Sequence, residues 1–300
     1  MENTSAFEHQ AMATYFKLTI YNETAEYAEN AAQQAFNLID ELEDKLSRFR
    51  PDSDISRINK LKKDEHLPID FETWEALKIA ISCHTESHGT FDVGVAEHMK
   101  IFRAGKEGIL NEYETHKALE KAQAMKTQAS IYVDPEQPRV YCVNPGMYFD
   151  LGGIGKGYAL DKVDELMQEL EIKTFTFSAG DSTLMIKNDV SVKPYFTYQI
   201  TAKLDKHRLD LGNISVSASG TFHQGSHIFD PRTGQNDFKP NFERVWVAAK
   251  NATYSDAFST ACFILSLPEI EEIVQTNEQI EWVAYAIDGK LTILRKNQLS

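Results

Sequence analysis

Cysteine is scarce in this sequence, and its scarcity excludes two kinds of site. Cys83, Cys142 and Cys262 are odd in number, lie far apart and show no Cys-x-x-Cys spacing. A disulfide framework or a structural zinc site requires paired or closely spaced cysteines. We therefore expect three buried free thiols in a reducing compartment.

Long apolar runs and an excess of positive charge are also missing. No apolar stretch reaches the roughly 20 residues that a membrane-spanning helix requires, so we expect no transmembrane segment. The N-terminal MENTSAFEHQ lacks the basic and apolar regions of a secretory signal, which favours the cytoplasm, or the periplasm if a leader was removed by cloning. The net charge of −14 opposes nucleic-acid binding. Any anionic ligand must be met locally, by backbone donors, a few cations or a metal ion.

Apolar periodicity predicts both strands and helices. Phe16, Leu18 and Ile20 share one face of a strand over 15–21. A long helix that ends before Pro51 follows, with an apolar stripe of Ala35, Ile39, Leu42 and Leu46. A second helix is predicted over about 72–88, with a stripe of Trp74, Leu77, Ile81 and His84.

The rest of the chain interleaves further strands and helices. A polar helical segment is predicted over 104–126, and helices over 163–170 and about 256–265. Strands are predicted over 131–133, 139–143, 174–177, 184–186, 198–201, 214–217 and 245–249, and a closing hairpin turns at Asp288-Gly289. This pattern favours an α/β (α+β mixed) fold in which mixed sheets are flanked by helices. We expect a single domain over 1–300, with residues 1–11 flexible.

The most informative segment is glycine-rich: Asp150-Leu-Gly-Gly-Ile-Gly-Lys-Gly-Tyr-Ala-Leu-Asp161. Its glycines let the backbone approach a ligand, and the helix that follows offers N–H groups and a positive dipole end to an anion. It is not a P-loop, because Gly157 follows Lys156, and it is one residue short of a dinucleotide fingerprint. The segment predicts a loop that holds a phosphorylated ligand; the alternative is that its glycines serve only a turn.

Asp256 and Thr260 are four residues apart in a helical pattern, so they share one helix face. Oxygen ligands that include one carboxylate suit Mg²⁺, which commonly completes its shell with substrate phosphates. The alternative is that Asp256 caps its helix and that Thr260 bonds back to the main chain.

One histidine is a candidate base. His227 opens the segment His227-Ile-Phe-Asp-Pro-Arg-Thr-Gly234, and imidazole accepts a proton near neutral pH. The alternative is a hydrogen-bonded histidine at the start of a tight turn. His84, His88 and His98 lack a Cys or Glu at ligand spacing, so we expect them to lie on helix faces.

Five segments occur in the order SRFRPDSDISRIN, GTFD, FDLGGIGKGYALD, SGTF…HIFDPRTG and SDAFSTA. In this order they resemble the motifs of the ApbE family, the FAD:protein FMN transferases, from about Met12 to the final hairpin. The resemblance implies the α/β fold of that family, with FAD held in a cleft between two halves.

The resemblance also implies site residues. Mg²⁺ would be bound by the side chains of Asp256 and Thr260 and by the main-chain carbonyl of Gly153. His227 matches the histidine that deprotonates the acceptor hydroxyl. FAD contacts would come from Met12, Phe49, Thr90, Phe91, Asp92, Asp150, Lys156 and the main chain of Ile228.

The implied chemistry is phosphoryl transfer from FAD. A Ser or Thr hydroxyl of an acceptor protein attacks the FMN-side phosphorus, AMP leaves, and FMN stays linked through a phosphoester. Mg²⁺ and Lys156 would stabilise the charge that develops on the phosphate oxygens. Two alternatives stay open: an Mg²⁺-dependent FAD pyrophosphatase, in which water replaces the acceptor hydroxyl, and a non-catalytic FAD-binding protein.

Overall fold

The computed structural model describes residues 3–220, 229–234 and 240–296. In chain order the strands are β1 (Thr4–Ala11), β2 (Thr14–Tyr21), β3 (His66–Pro68), β4 (Ser130–Val133), β5 (Arg139–Asn144), β6 (Phe175–Ala179), β7 (Thr183–Lys187), β8 (Phe196–Thr201), β9 (Lys206–Leu211), β10 (Ile214–Gly220), β11 (Arg244–Ala249), β12 (Ile280–Ile287) and β13 (Lys290–Arg295). The helices are α1 (Ala25–Leu46), α2 (Asp54–Ile58), α3 (Phe71–Glu86), α4 (Ala96–Lys106), α5 (Glu112–Gln128), α6 (Gly155–Glu169), α7 (Ala252–Ile264) and α8 (Leu267–Thr276).

The described residues form two compact units. The first comprises 3–43, 154–220 and 241–296, and the second comprises 44–153, 229–234 and 240. The first unit contains an eight-stranded antiparallel sheet in the order β1-β2-β6-β7-β10-β11-β12-β13, together with the two-stranded ribbon β8-β9. The second contains the three-stranded antiparallel sheet β3-β5-β4 and helices α2 to α5. The predicted α/β (α+β) class with helices flanking the sheets is confirmed, but the sheets, predicted to be mixed, are antiparallel in every described strand pair. The single-domain interpretation stays a prediction.

The core of the first unit follows from the predicted patterns. Phe16, Leu18 and Ile20 are buried on one face of β2, and the stripe of Ala35, Ile39 and Leu42 on α1 is buried as well. A second cluster packs the ribbon β8-β9 against the sheet around Trp246 and Trp282. Alternating and helical apolar spacing therefore identified the buried faces of these elements.

The N-terminal segment differs from its prediction. Residues 1–11 were expected to be flexible, whereas Thr4–Ala11 forms β1 and pairs with β2 along its whole length, from Thr4↔Tyr21 to Ala11↔Thr14. The strand is an edge strand whose side chains alternate between exposed and half-buried positions. The strand buries little apolar surface, so its sequence lacks the strong alternation of apolar and polar residues from which a strand is predicted.

The face that α3 buries also differs from its prediction. The buried residues are Thr73, Ala76, Leu77, Ala80 and Cys83, whereas Ile81 is 50% exposed and His84 is exposed. Large side chains defined the predicted stripe, but small side chains line the packed face because they allow close approach of a neighbouring element. The helix ends at Glu86, so His88 lies beyond it, with φ at 53°.

The polar segment 104–126 contains the end of α4 and most of α5 instead of one helix. The helices are separated at Gly108, whose φ of +71° is incompatible with a continuing helix. A capping box then starts α5, in which Asn111 and Glu114 bond reciprocally to each other's backbone N–H groups. Within the described ranges, no helix combines the length and apolarity that a bilayer crossing requires.

Candidate functional site

The glycine-rich segment leads directly into α6. Asp150 to Gly153 belong to the second unit, and the first unit resumes at Ile154, the N-cap of α6. Lys156 and Gly157 therefore lie in the first turn of a helix, where backbone N–H groups lack partners within the helix. The predicted transition from loop to helix is confirmed. The helix begins at Gly155, several residues earlier than the predicted helix over 163–170.

Asp256 lies against this first turn. Its Oδ2 accepts a hydrogen bond from the Gly157 N–H at 3.1 Å and an ion-pair contact from the Lys156 Nζ at 3.4 Å. Its Oδ1 accepts a hydrogen bond from the Thr183 hydroxyl at 3.3 Å. The residue is only 4% exposed. A buried carboxylate is therefore held by a cation, a helix N–H group and a hydroxyl.

Asp256 does not cap its own helix. α7 begins at Ala252, four residues earlier than predicted, because Asn251 is the N-cap and its side chain accepts a hydrogen bond from the Tyr254 N–H. The alternative to a metal ligand, in which Asp256 caps its own helix, is therefore wrong. Thr260 lies one turn further along α7 and is half-buried, and its hydroxyl makes no hydrogen bond with the described part of the protein.

Close contact between α6 and α7 requires glycine at position 157. A Cβ built on Gly157 would overlap the carbonyl oxygen of Ala252 and lie 2.9 Å from the Cβ of Asp256. Such a separation is shorter than side-chain carbons tolerate, and the first obstacle is backbone that cannot rotate away. This close approach allows the Gly157 N–H to reach the carboxylate.

Sequence reasoning missed Asp161 and Thr183. Asp161, on α6, accepts hydrogen bonds from the N–H groups of Ala252 and Thr253 at 2.7 and 2.8 Å, and from the Thr253 hydroxyl. Burial raises the pKa of Asp161 to about 6, although these hydrogen bonds and the charge of Lys187 act to lower it. An acidic residue four positions after Gly157 was the available signal.

Hydroxyl groups continue the network behind Asp256. Ser217 Oγ lies 3.3 Å from Thr183 Oγ1 and 2.8 Å from Ser255 Oγ, and all three residues are buried. Ser255 in turn donates to the Ala252 carbonyl at 3.1 Å. The carboxylate of Asp256 is thus supported on its Oδ1 side by a chain of polar groups from β7, β10 and α7.

In the second unit, Arg48 holds Asp150. Its Nε donates to Asp150 Oδ2 at 2.6 Å, while Asp150 Oδ1 accepts the Gly152 N–H at 2.9 Å. The guanidinium of Arg48 also lies 4.2 Å from the centroid of the Phe49 ring, which is 70% exposed. Asp150 is therefore fixed in orientation, and Phe49 offers an aromatic face to solvent.

The residues after α3 form a tightly bonded turn. Thr90 and Phe91 are buried, and the Thr90 hydroxyl donates to the Ser87 carbonyl at 2.7 Å. Asp92 forms an ion pair with Lys126 and accepts the Gly94 N–H at 2.7 Å. The structure gives the first two side chains a packing role, and their contact with FAD stays a prediction.

The other predicted positions are distributed as follows. Met12 lies in the turn between β1 and β2, with φ at 48°, in the first unit. His227 and Ile228 lie outside the described residues. His98 is buried on α4 and stacks on Phe229, and burial and the charge of Lys126 lower its pKa. The structure thus brings Lys156 and Asp256 together, with Thr260 on the same helix.

The donor set suits a hard divalent cation. In the described ranges no three His, Cys, Asp or Glu side chains gather into a metal site. An ionised carboxylate has about four lone-pair positions, and Asp256 uses two on Oδ2 and one on Oδ1 for the contacts above. One position remains, and the hydroxyl of Thr260 lies one turn further along the same helix, so oxygen ligands from one face of α7 fit a magnesium ion.

Comparison with known proteins agrees with the motifs. The ApbE family model matches residues 12–284. A protein of Buchnera aphidicola subsp. Schizaphis graminum named FAD:protein FMN transferase is 26% identical, covering 85% of this chain and 78% of that protein. A protein of the same name in Escherichia coli K12 is 21% identical, covering 90% of this chain and 81% of that protein.

Solved structures share the fold. The flavin transferase ApbE from Vibrio cholerae superposes with a TM-score of 0.83 at 20% identity, covering 99% of this chain and 98% of that chain. The apo form of the flavinyl transferase ApbE from Pseudomonas stutzeri gives 0.83 at 20% identity, covering 99% and 95%. These similarities confirm the resemblance inferred from the five motifs: the chain belongs to the ApbE family.

Proposed function

We propose that this protein is an Mg²⁺-dependent transferase that moves FMN from FAD to a Ser or Thr hydroxyl of an acceptor protein and releases AMP. The observation that carries the proposal is the buried Asp256 carboxylate beside Lys156 and the first turn of α6. Membership of the ApbE family supports it, as do relatives named FAD:protein FMN transferase.

The proposed metal ligands are Asp256, Thr260 and the Gly153 carbonyl. A bound magnesium ion would supply local positive potential for the diphosphate of FAD, which a chain of net charge −14 otherwise disfavours. Asp256 keeps one lone-pair position for the ion while its other contacts fix the orientation of the carboxylate. This arrangement supports ligand binding without rearrangement of α7.

The proposed role of Lys156 is to bind and stabilise the transferring phosphate. Its ammonium group lies at the N-terminal end of α6, where helix N–H groups and the dipole also favour an anion. Charge that develops on phosphate oxygens during transfer is stabilised by donors already in place. Phe49, Asp150 and Asp92 are proposed to bind other parts of FAD, together with Met12, Thr90, Phe91 and the main chain of Ile228.

His227 is proposed as the base that accepts the proton of the acceptor hydroxyl. The family motif supports this assignment. Without an acceptor, water at the same position would make the protein an FAD pyrophosphatase, and loss of the reaction would leave an FAD-binding protein. Incubation with FAD and Mg²⁺ separates these outcomes: FMN attached to an acceptor indicates transfer, free FMN plus AMP indicates hydrolysis, and unaltered FAD indicates binding alone.

The test of the metal assignment is Asp256→Asn. We expect Mg²⁺-dependent AMP release to fall by more than about 100-fold, because the amide removes the charge that binds the cation and presents N–H groups to Lys156 and Gly157. AMP release is measured by chromatography across an Mg²⁺ titration.

The control for this experiment is Asp210→Asn on β9, an exposed residue whose carboxylate accepts a hydrogen bond from the Thr197 hydroxyl within the same ribbon. This variant has the same charge change and should keep wild-type turnover. Wild-type Mg²⁺ dependence in Asp256→Asn would contradict the assignment of Asp256 as a metal ligand.

A further inference from the structure

Helices α6 and α7 cap each other. The Gly157 N–H in the first turn of α6 donates to Asp256 of α7, and the Ala252 N–H in the first turn of α7 donates to Asp161 of α6. In α6 the acid Asp161 lies four residues after Gly157. In α7 the acid Asp256 lies four residues after Ala252. The two helices therefore exchange carboxylates in a reciprocal arrangement, with Gly157 at the point of closest approach.

The cap that Asp161 supplies is extensive. Its two oxygens accept hydrogen bonds from the N–H groups of Ala252 and Thr253. Two of the first N–H groups of α7, which have no partner within their own helix, are therefore bonded to a residue of α6. The next N–H group, that of Tyr254, donates to the side chain of Asn251, which is the N-cap of α7 itself. A carboxylate at this end of a helix is also favoured by the helix dipole.

The position is costly for an acid, since burial disfavours the charged form and raises the pKa of Asp161. A local cap is already present at Asn251, so the first turn of α7 does not depend on Asp161 for its helical conformation. What Asp161 adds is a connection between this turn and α6. The connection fixes the axial position and rotation of α7 at the level of Ala252.

We propose that Asp161 is a positioning residue, which places Asp256 of α7 against Lys156 and Gly157 of α6 and so also sets the position of Thr260, one turn further along α7. Asp256 lies one turn beyond the clamped residues and Thr260 lies two turns beyond them. A helix rises about 1.5 Å per residue, so a small slip or rotation of α7 would carry Asp256 away from Lys156 and would displace Thr260 with it. Partners that orient ligands in this way typically change metal affinity or activity by about 10–100-fold when they are replaced. This inference deepens the proposed function and rests on it for its ligand readout.

The experiment compares Asp161→Asn with Asp164→Asn. Asn at 161 would present amide hydrogens to N–H and O–H donors of Thr253, so the clamp should open. Asp164 is the matched control because it lies one turn along the same helix, is half-buried and forms an ion pair with Lys187 at 2.6 Å, without touching α7 in the described contacts. Two quantities are measured: the Mg²⁺ concentration that half-saturates FAD binding, followed by flavin fluorescence, and hydrogen exchange of the Gly157 amide in the protein without ligands.

We expect Asp161→Asn to raise the half-saturating Mg²⁺ concentration by about 10–100-fold and to accelerate exchange at Gly157 relative to Val283 in β12. Asp164→Asn should change neither. Unchanged values of both quantities in Asp161→Asn would overturn the inference. If Mg²⁺ has no effect on FAD binding in the wild-type protein, the proposed function fails, and the exchange at Gly157 alone decides the role of Asp161.

A milder variant covers the case in which Asp161→Asn does not fold. Thr253→Val removes only the hydroxyl that donates to Asp161 and keeps the shape of a buried side chain. It should shift both quantities in the same direction by a smaller factor. If Asp161→Asn is unfolded and Thr253→Val behaves like the wild-type protein, the positioning role is overturned. Asp161 then contributes only to the stability of the fold.

Discussion

Asp256 is the residue on which the proposed chemistry depends most. A buried carboxylate is unfavourable unless cations and hydrogen-bond donors compensate for the loss of water. Here Lys156, Gly157 and Thr183 provide that compensation from two secondary-structure elements other than α7. The same donors prevent rotation of the carboxylate, so a ligand meets an oxygen whose orientation is already fixed.

His227→Ala tests the proposed base. We expect FAD affinity to stay nearly unchanged and transfer to fall by at least about 10²-fold, because a hydroxyl is a poor nucleophile without a group to take its proton. The wild-type rate should also fall as the pH drops through the pKa of the imidazole, since the protonated ring cannot accept a proton. FAD affinity and FMN attachment are measured separately, by fluorescence titration and by mass spectrometry of the acceptor. Loss of FAD binding with unchanged turnover per bound FAD would instead identify His227 as a ligand-positioning residue.

At the scale of secondary structure, the α6–α7 pair is the element that organises the site. Its contact depends on one backbone-to-backbone approach at Gly157 and on two exchanged carboxylates. Neither helix can move along the other without breaking hydrogen bonds at its own N-terminal end. The pair therefore behaves as a rigid support for the residues that project from its first turns.

Gly157→Ala is predicted to separate the two helices. The added methyl group meets the main chain of Ala252, so we expect a loss of about 1–3 kcal/mol in the free energy of unfolding, with a lower affinity for Mg²⁺. Guanidinium denaturation measures the first quantity. Gly212→Ala is the control, because the nearest atom to its new methyl group is a side-chain oxygen of Asn188 at 3.2 Å. Equal stability of the two variants would show that the close approach at Gly157 is not required.

Elements with regular apolar spacing could be predicted from the sequence, and contacts distant in sequence could not. The alternation in β2 and the Asp288-Gly289 turn, where both residues have positive φ, identified their strands. Edge strand β1 has little apolar surface and was missed. Within the site, the glycine loop and the Asp256–Thr260 pair were visible as motifs. Asp161 and Thr183 were not, because their partners lie 91 and 73 positions away in the chain.

For the whole molecule, the three thiols report on how the two units unfold. Cys83 and Cys142 lie in the second unit and Cys262 in the first, and all three are free and buried, as predicted. Burial raises the pKa of all three thiols, that of Cys262 to about 12, so the reactive thiolate is scarce in the folded protein. Each thiol can react only when its own surroundings open.

Native protein mixed with a colorimetric disulfide reagent should therefore show no rapid reaction, and denatured protein should show three reactive thiols. Two variants, each with two cysteines replaced by serine, retain only Cys83 of the second unit or only Cys262 of the first. The labelling rate of the remaining thiol then measures the opening of its own unit. Equal opening free energies at the two positions would support the single-domain interpretation, and unequal ones would show that the units unfold independently. Rapid labelling of any thiol in native protein would contradict the burial described above.

The order of strands in the large sheet has a consequence for synthesis on the ribosome. Leu18 of β2 pairs with Phe177 of β6, so the partner strand is translated about 160 residues later. At about 5–20 residues per second, the β1–β2 hairpin waits on the order of ten to thirty seconds with one strand edge and the side chains of Phe16, Leu18 and Ile20 uncovered. An open apolar edge of this kind can pair with other nascent chains. The nascent chain should therefore depend on chaperone binding at its first hairpin until β6 has left the ribosomal tunnel.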